Sequence, residues 1–184
     1  LLYPPAPERP YRCEGYEPFV FAVSRLHQLK RMHLLVEAMT QVEGLKAVIA
    51  GAGEEEGPLR EMISAKGLTD RVNLVGPVDD AQKLDLLARC RAVYFAPEQE
   101  DYGFVTLEAM NSRKPVLTAE DSGGPAELVE NEKNGFVLPP RADAFAKALR
   151  GLAADQRLAE SMGAAAFDSA KQHTWEKAIE SLLV

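Results

Sequence analysis

The sequence is poor in cysteine, tryptophan and histidine: its 184 residues include two cysteines, one tryptophan and three histidines. Cys13 and Cys90 lie in unlike contexts without metal-ligand spacing, so neither a disulfide framework nor a zinc site can be built from them. They read as ordinary thiols in a reducing compartment. The chain also lacks a basic surplus. A net charge of −7 excludes nucleic acid as the expected partner, because a polyanion selects a basic face, but a few convergent cations can still hold a small anion. No apolar run approaches the ~20 residues of a membrane span and no leader-like hydrophobic stretch follows a basic start, so a soluble segment is expected. What is present, 46% hydrophobic and 27% charged residues over the length of one domain, suits a globular unit with one sizeable core.

Residues 1–18 carry Pro4, Pro5, Pro7, Pro10 and Pro18, which disfavour regular elements and predict a linker, with the domain proper at 19–184. From Phe19 onward short apolar runs alternate with longer amphipathic ones. Strands are predicted at 19–23, 47–50, 72–75, 92–96, 115–118 and 136–138, and helices near 30–41, 58–66, 80–89 and 105–112. Strands alternating with helices imply an α/β fold with a doubly wound parallel sheet. After Arg141 the pattern is helical, near 143–153, 156–171 and 175–183, and the last segment sets Trp175, Ala178, Ile179 and Leu182 on one apolar stripe.

In such a sheet the ligand crevice lies beyond the carboxyl ends of the strands. The loop Ser24 to Lys30 offers Arg25 as a guanidinium fork and Lys30 as a point charge, a pair suited to a diphosphate or simply solvated. Gly51 and Gly53 form a turn that permits close backbone approach, whether to a ligand or to protein. Gly76 and Val78 lie in a loop whose backbone can face a nucleobase, with Asp79 or Asp80 as cap of the next helix; Lys83 reaches either a phosphate or solvent. The fourth loop runs Glu-Asp-Tyr-Gly-Phe-Val-Thr-Leu-Glu from Glu100 to Glu108. Gly103 permits a sharp turn, and a helix starting near Val105 points its N–H groups into the crevice, where they can receive an anion. Glu108 can then accept hydrogen bonds from ribose hydroxyls and Glu100 can meet a sugar ring. Two carboxylates beside a diphosphate make sense only if each faces hydroxyls. Their bland alternative is stabilisation of the helix dipole. His27 lies in the phosphate-side loop, whereas His33 and His173 read as surface or packing residues.

The E-x7-E element, Glu100 to Glu108, resembles that of the GT-B-fold glycosyltransferases of family 4, the group 1 class. Ser-Arg-Leu-x3-Lys at 24–30, Gly-Ala-Gly at 51–53, Val-Gly-Pro-Val at 75–78, Lys-Pro-Val at 114–116, Ser-Gly-Gly-Pro-Ala-Glu at 122–127, Asn-Gly-Phe-Val at 134–137 and Thr-Trp-Glu at 174–176 follow in the family's order. The resemblance covers the chain from about Leu2 to its end. It implies the C-terminal, Rossmann-like donor-binding half of a retaining enzyme that moves a sugar from a nucleotide-diphosphate sugar, GDP-mannose or a UDP-sugar, to a glycan or lipid-linked acceptor. Arg25 and Lys30 would bind the donor phosphates, Glu108 the ribose and Glu100 the transferred sugar, with Gly103, Phe104, Val105 and the Gly123-Gly124 loop lining the pocket. Arg25, Lys30 and Glu100 are the catalytic candidates.

The resemblance further implies no cofactor and no metal, and an N-terminal acceptor domain absent from this chain, without which turnover is not expected. A cytoplasmic protein is implied, with peripheral attachment of its full-length form to the inner membrane face as an allowed arrangement. Two positions depart from the pattern. Arg31 stands where glycine commonly follows the lysine, adding a charge for phosphate, and Asp101-Tyr102 replace Gly-Phe, tuning sugar choice. The competing readings are a nucleotide-sugar epimerase or phosphorylase of the same fold, and a non-catalytic module that binds nucleotide or a protein partner. The order of the motifs weighs against the first, and the joint presence of Arg25, Lys30, Glu100 and Glu108 against the second.

Overall fold

The computed structural model describes residues 4–180. Its strands are β1 (Phe19–Val23), β2 (Lys46–Ala50), β3 (Val72–Gly76), β4 (Ala92–Tyr94), β5 (Val116–Ala119) and β6 (Gly135–Leu138). The helices are α1 (Met32–Met39), α2 (Glu56–Ala65), α3 (Asp80–Arg89), α4 (Phe104–Asn111), α5 (Gly124–Leu128), α6 (Ala142–Ala154), α7 (Gln156–Ala170) and α8 (Trp175–Glu180). The strands form one sheet in the order β3-β2-β1-β4-β5-β6, with every pairing parallel. This is the doubly wound α/β fold expected from the sequence. β1 pairs with both β2 and β4, so the order reverses beside it and a crevice opens at its carboxyl end.

Alternation along each strand splits the core between the two faces of the sheet. Val20, Ala22, Ile49, Ala92 and Tyr94 face α1, α2 and α6, whereas Phe19, Phe21, Val93 and Phe95 face α3, α4 and α5. Continuous apolar runs such as Phe19–Val23 are what a sheet covered on both faces requires. α7 contributes Ala159 to one cluster and Ala166 and Ala170 to the other. No helix among the described residues is long and apolar enough to cross a membrane.

Several boundaries differ from expectation. α1 starts at Met32 because Gln28–Lys30 form a separate 3-10 turn and Arg31 takes a left-handed conformation between them. β4 ends at Tyr94, and the short helix α5 stands where only a Gly-Gly-Pro loop was expected. Residues 7–17 form no regular element, but they do not hang free. The Glu14 and Glu17 amides donate to carbonyls at the end of α3, the Tyr16 hydroxyl donates to the Arg113 carbonyl at 2.7 Å, and buried Lys114 donates to the Gly15 carbonyl. On α8, Ala178 is buried while Trp175 and Ile179 are exposed; Leu2 and Tyr3 of the expected linker, and Leu182 of the apolar stripe, lie outside the described residues.

Candidate functional site

The loop after β1 is shaped by its neighbours. The Ser24 and Leu26 amides donate to the carbonyls of Ala50 and Ala52, and the Glu55 amide donates to the Leu26 carbonyl, so the loop lies flat on the turn after β2. Only glycine fits that turn: a Cβ on Gly51 would stand 1.8 Å from the Ser24 carbonyl oxygen, and one on Gly53 2.2 Å from that of Leu26. The two glycines thus support the Arg25 loop through backbone contact. Gly76, at φ 75°, accepts from the Gly51 amide and continues this layer towards Val78. His27 caps the 3-10 turn through Nδ1, and its Nε2 lies 3.3 Å from Glu54.

Asp79, rather than Asp80, caps α3. Its side chain accepts from the Gln82 amide while the Gln82 side chain accepts from the Asp79 amide, a reciprocal capping box. One turn further, Lys83 Nζ is 2.7 Å from a Glu108 carboxylate oxygen. Glu108 lies in the second turn of α4 and is buried, too far along the helix to serve the dipole at its start.

The loop after β4 is tied to the loop after β5. The Gln99 amide donates to the Asp121 carbonyl, the Glu100 amide to the Ser122 carbonyl, and the Gly124 amide returns to the Glu100 carbonyl. The Glu98 amide donates to the Leu29 carbonyl, joining the same assembly to the β1 loop. Lys30 Nζ donates to the Glu100 carboxylate, although the two residues are 70 positions apart. Arg25 is exposed, and no ion pair of its side chain occurs among the described residues. Arg25, His27, Lys30, Glu98 and Glu100 line a cavity of about 340 Å³. Three residues beyond Glu100, Gly103 is left-handed, at φ 73°, and opens α4; Phe104 is exposed and Val105 half-buried at the helix start. The Tyr102 hydroxyl donates to the Pro4 carbonyl, and burial pushes its phenol up to about 12.

Of the residues singled out from the sequence, Arg25, Lys30, Gly51, Gly53, Gly76, Val78, Glu100, Gly103, Phe104 and Val105 lie in the loops or helix start after β1 to β4, Lys83 and Glu108 lie inside α3 and α4, the Gly123-Gly124 loop follows β5, and Arg25, Lys30 and Glu100 line the cavity. Arg31 corrects the expectation of an extra charge for phosphate. Its guanidinium is engaged by Asp121 at 2.6 and 2.8 Å and by Glu98 at 3.2 Å, which raises its pKa and lowers that of Asp121. Sequence spacing carries no signal for this partnership, since Asp121 is 90 positions away.

The sequence matches the glycosyl transferases group 1 family over residues 9–169. It is 28% identical over 169 residues to human alpha-1,3/1,6-mannosyltransferase ALG2, covering 83% of this chain and 40% of that protein. It is 34% identical over 163 residues to a GDP-mannose-dependent alpha-(1-6)-phosphatidylinositol monomannoside mannosyltransferase of Mycobacterium tuberculosis, covering 82% of this chain and 42% of that protein. Among solved structures, Anabaena Alr3699/HepE in complex with UDP and glucose superposes with a TM-score of 0.81 at 28% identity, over 91% of this chain and 47% of that one. The chain thus spans less than half the length of these relatives. Match, sheet order and crevice agree: the chain belongs to the group 1 glycosyl transferase family.

Proposed function

We propose that this chain is the donor-binding half of a retaining hexosyltransferase, which uses GDP-mannose or a UDP-sugar and needs no resident metal. The observation that carries the reading is the wall shared by Arg25, Lys30 and Glu100. A cation with no ion pair among the described residues, a second cation and a carboxylate meet on one cavity. In this reading the diphosphate lies between Arg25, Lys30 and the amide end of α4, and the ribose hydroxyls meet Glu108. Glu100 leaves Lys30 to accept from hydroxyls of the sugar.

The chemistry demanded is departure of a nucleoside diphosphate. The anomeric C–O bond breaks with its electrons going to the β-phosphate, and positive charge at Arg25 and Lys30 stabilises what develops there. The acceptor oxygen bonds to the same face of the anomeric carbon, and its proton passes to a phosphate oxygen, so no protein nucleophile is needed. The acceptor in this reading is a glycan or lipid-linked sugar held by an N-terminal domain. The mycobacterial relative, named for a phosphatidylinositol monomannoside acceptor, supports that class. Such an acceptor would bring the full-length protein to the cytoplasmic face of a membrane.

Calorimetric titration of the chain with UDP, GDP and ADP tests the assignment. One nucleotide should bind saturably, and Arg25→Ala with Lys30→Ala should weaken it about 100-fold or more, as expected when two charge-assisted contacts are lost. A folded chain that binds none of the three, or a double variant that binds as well as the parent, would count against the reading.

A further inference from the structure

We propose that Arg31 is a positioning residue of the donor site, a clamp that holds the loop bearing Arg25 and Lys30 against the loops bearing Glu100 and Gly123; the role rests on the donor reading above. Three observations converge on it. First, Arg31 sits at φ 52°, ψ 36°, a conformation disfavoured for a residue with a Cβ, at the only step between the 3-10 turn and α1. Glycine would adopt it freely, so an arginine here must be held by other contacts.

Second, those contacts are present on both backbone and side chain. The carbonyl of Arg31 accepts from the hydroxyl of buried Tyr94 at 2.8 Å, and the Tyr94 ring meets Phe145 of α6 edge-on at 5.2 Å. The side chain is 11% exposed, and its guanidinium grips both oxygens of Asp121 and reaches Glu98. A planar fork can lock two carboxylate oxygens at once, whereas an ammonium meets them as a single point.

Third, the loops so joined meet through a short series of hydrogen bonds: Glu98 amide to Leu29 carbonyl at 2.8 Å, Gln99 to Asp121 at 3.1 Å, Glu100 to Ser122 at 3.0 Å, Gly124 to Glu100 at 2.9 Å, and the Ser122 hydroxyl to the Pro97 carbonyl at 2.7 Å. Lys30, the residue before the clamp, meets Glu100 across this seam. Loosening the fork lets the seam open and moves Lys30 and Glu100 apart. Arg31 thus acts on the donor through Lys30 and Glu100, its own charge being satisfied by protein.

The 184-residue chain is compared with Arg31→Gly, Arg31→Lys and Asp121→Asn, with amide hydrogen exchange and nucleotide titration on each. Arg31→Gly relieves the backbone and removes the fork, so it should fold. Exchange at Gln99, Glu100 and Gly124 should quicken about tenfold while the Val93 and Phe95 amides stay unchanged, and nucleotide affinity should fall about tenfold, the scale of coupling between groups in contact. Arg31→Lys should resemble Arg31→Gly, and combining Arg31→Gly with Asp121→Asn should be no worse than either alone. Unchanged exchange with weakened affinity would overturn the clamp in favour of a direct phosphate contact. Quickened exchange with unchanged affinity would leave Arg31 a merely structural residue and overturn its positioning role. A parent chain that binds no nucleotide would overturn the donor reading, and with it the function of the clamp, whatever the exchange shows.

Discussion

Glu108 keeps only 5% of its surface in contact with water, and in the second turn of a helix its charge must be met inside the protein. Lys83 meets it from α3, keeping a fifth of its own side chain exposed. Replacing Lys83 with methionine leaves the carboxylate buried and alone. The expected loss is about 2 kcal/mol, below the ~3–5 kcal/mol of a fully buried pair because water still reaches one partner. Urea denaturation measures it, and adding Glu108→Gln to the same chain should recover most of the loss. A change of only ~0.5 kcal/mol would mark an ordinary surface pair and leave Glu108 stabilised by something else. Neither this pair nor the Arg31 fork was legible in the sequence. Lys83 and Glu108 are 25 positions apart on different helices, and only the packing of α3 beside α4 brings them together.

At the scale of elements, the turn after β2 decides where the turn after β1 can lie. Gly51 illustrates this most sharply, since its φ of 136° and the nearby Ser24 carbonyl both exclude a side chain. Gly51→Ala should cost about 3 kcal/mol or more through backbone displacement. Gly151→Ala, inside α6 where the added methyl would meet only Leu158 at 3.9 Å, should instead stabilise by about 0.5–1 kcal/mol. Thermal or urea unfolding of the two variants side by side separates a tertiary requirement from simple helix propensity; equal effects would show that the Ser24 carbonyl yields easily. The alternation of strands and helices was readable because periods of 2 and 3.6 are local properties of the chain. α5 was not, because five residues opening with Gly124 and Pro125 carry the composition of a loop, and their helical turn is set by the Glu100–Gly124 bond. The start of α1 was misplaced for a related reason: Arg31 is left-handed through contacts to Tyr94 and Asp121 that no local pattern announces.

For the molecule as a whole, the sheet order sets the ends of β1 and β4 side by side, and Arg25, Lys30 and Glu100 meet there on one cavity. Charge in the crevice is largely matched within this chain, Lys30 with Glu100 and Lys83 with Glu108, so a donor must exchange partners with groups already in place. The chain spans less than half the length of its relatives. If the donor half works as proposed, the 184-residue chain should bind its nucleotide yet transfer no sugar to an acceptor above the background rate, because the second reactant is not oriented and proximity is lost. Joined to an acceptor-binding half, it should transfer the sugar with the anomeric configuration of the donor, read from the anomeric proton coupling of the first-formed product. Inversion would require a general base opposite the leaving group, a role that Glu100 does not fill while it accepts from hydroxyls of the sugar. That outcome would remove the same-face mechanism and Glu100's place in it, while leaving nucleotide binding by Arg25 and Lys30 intact.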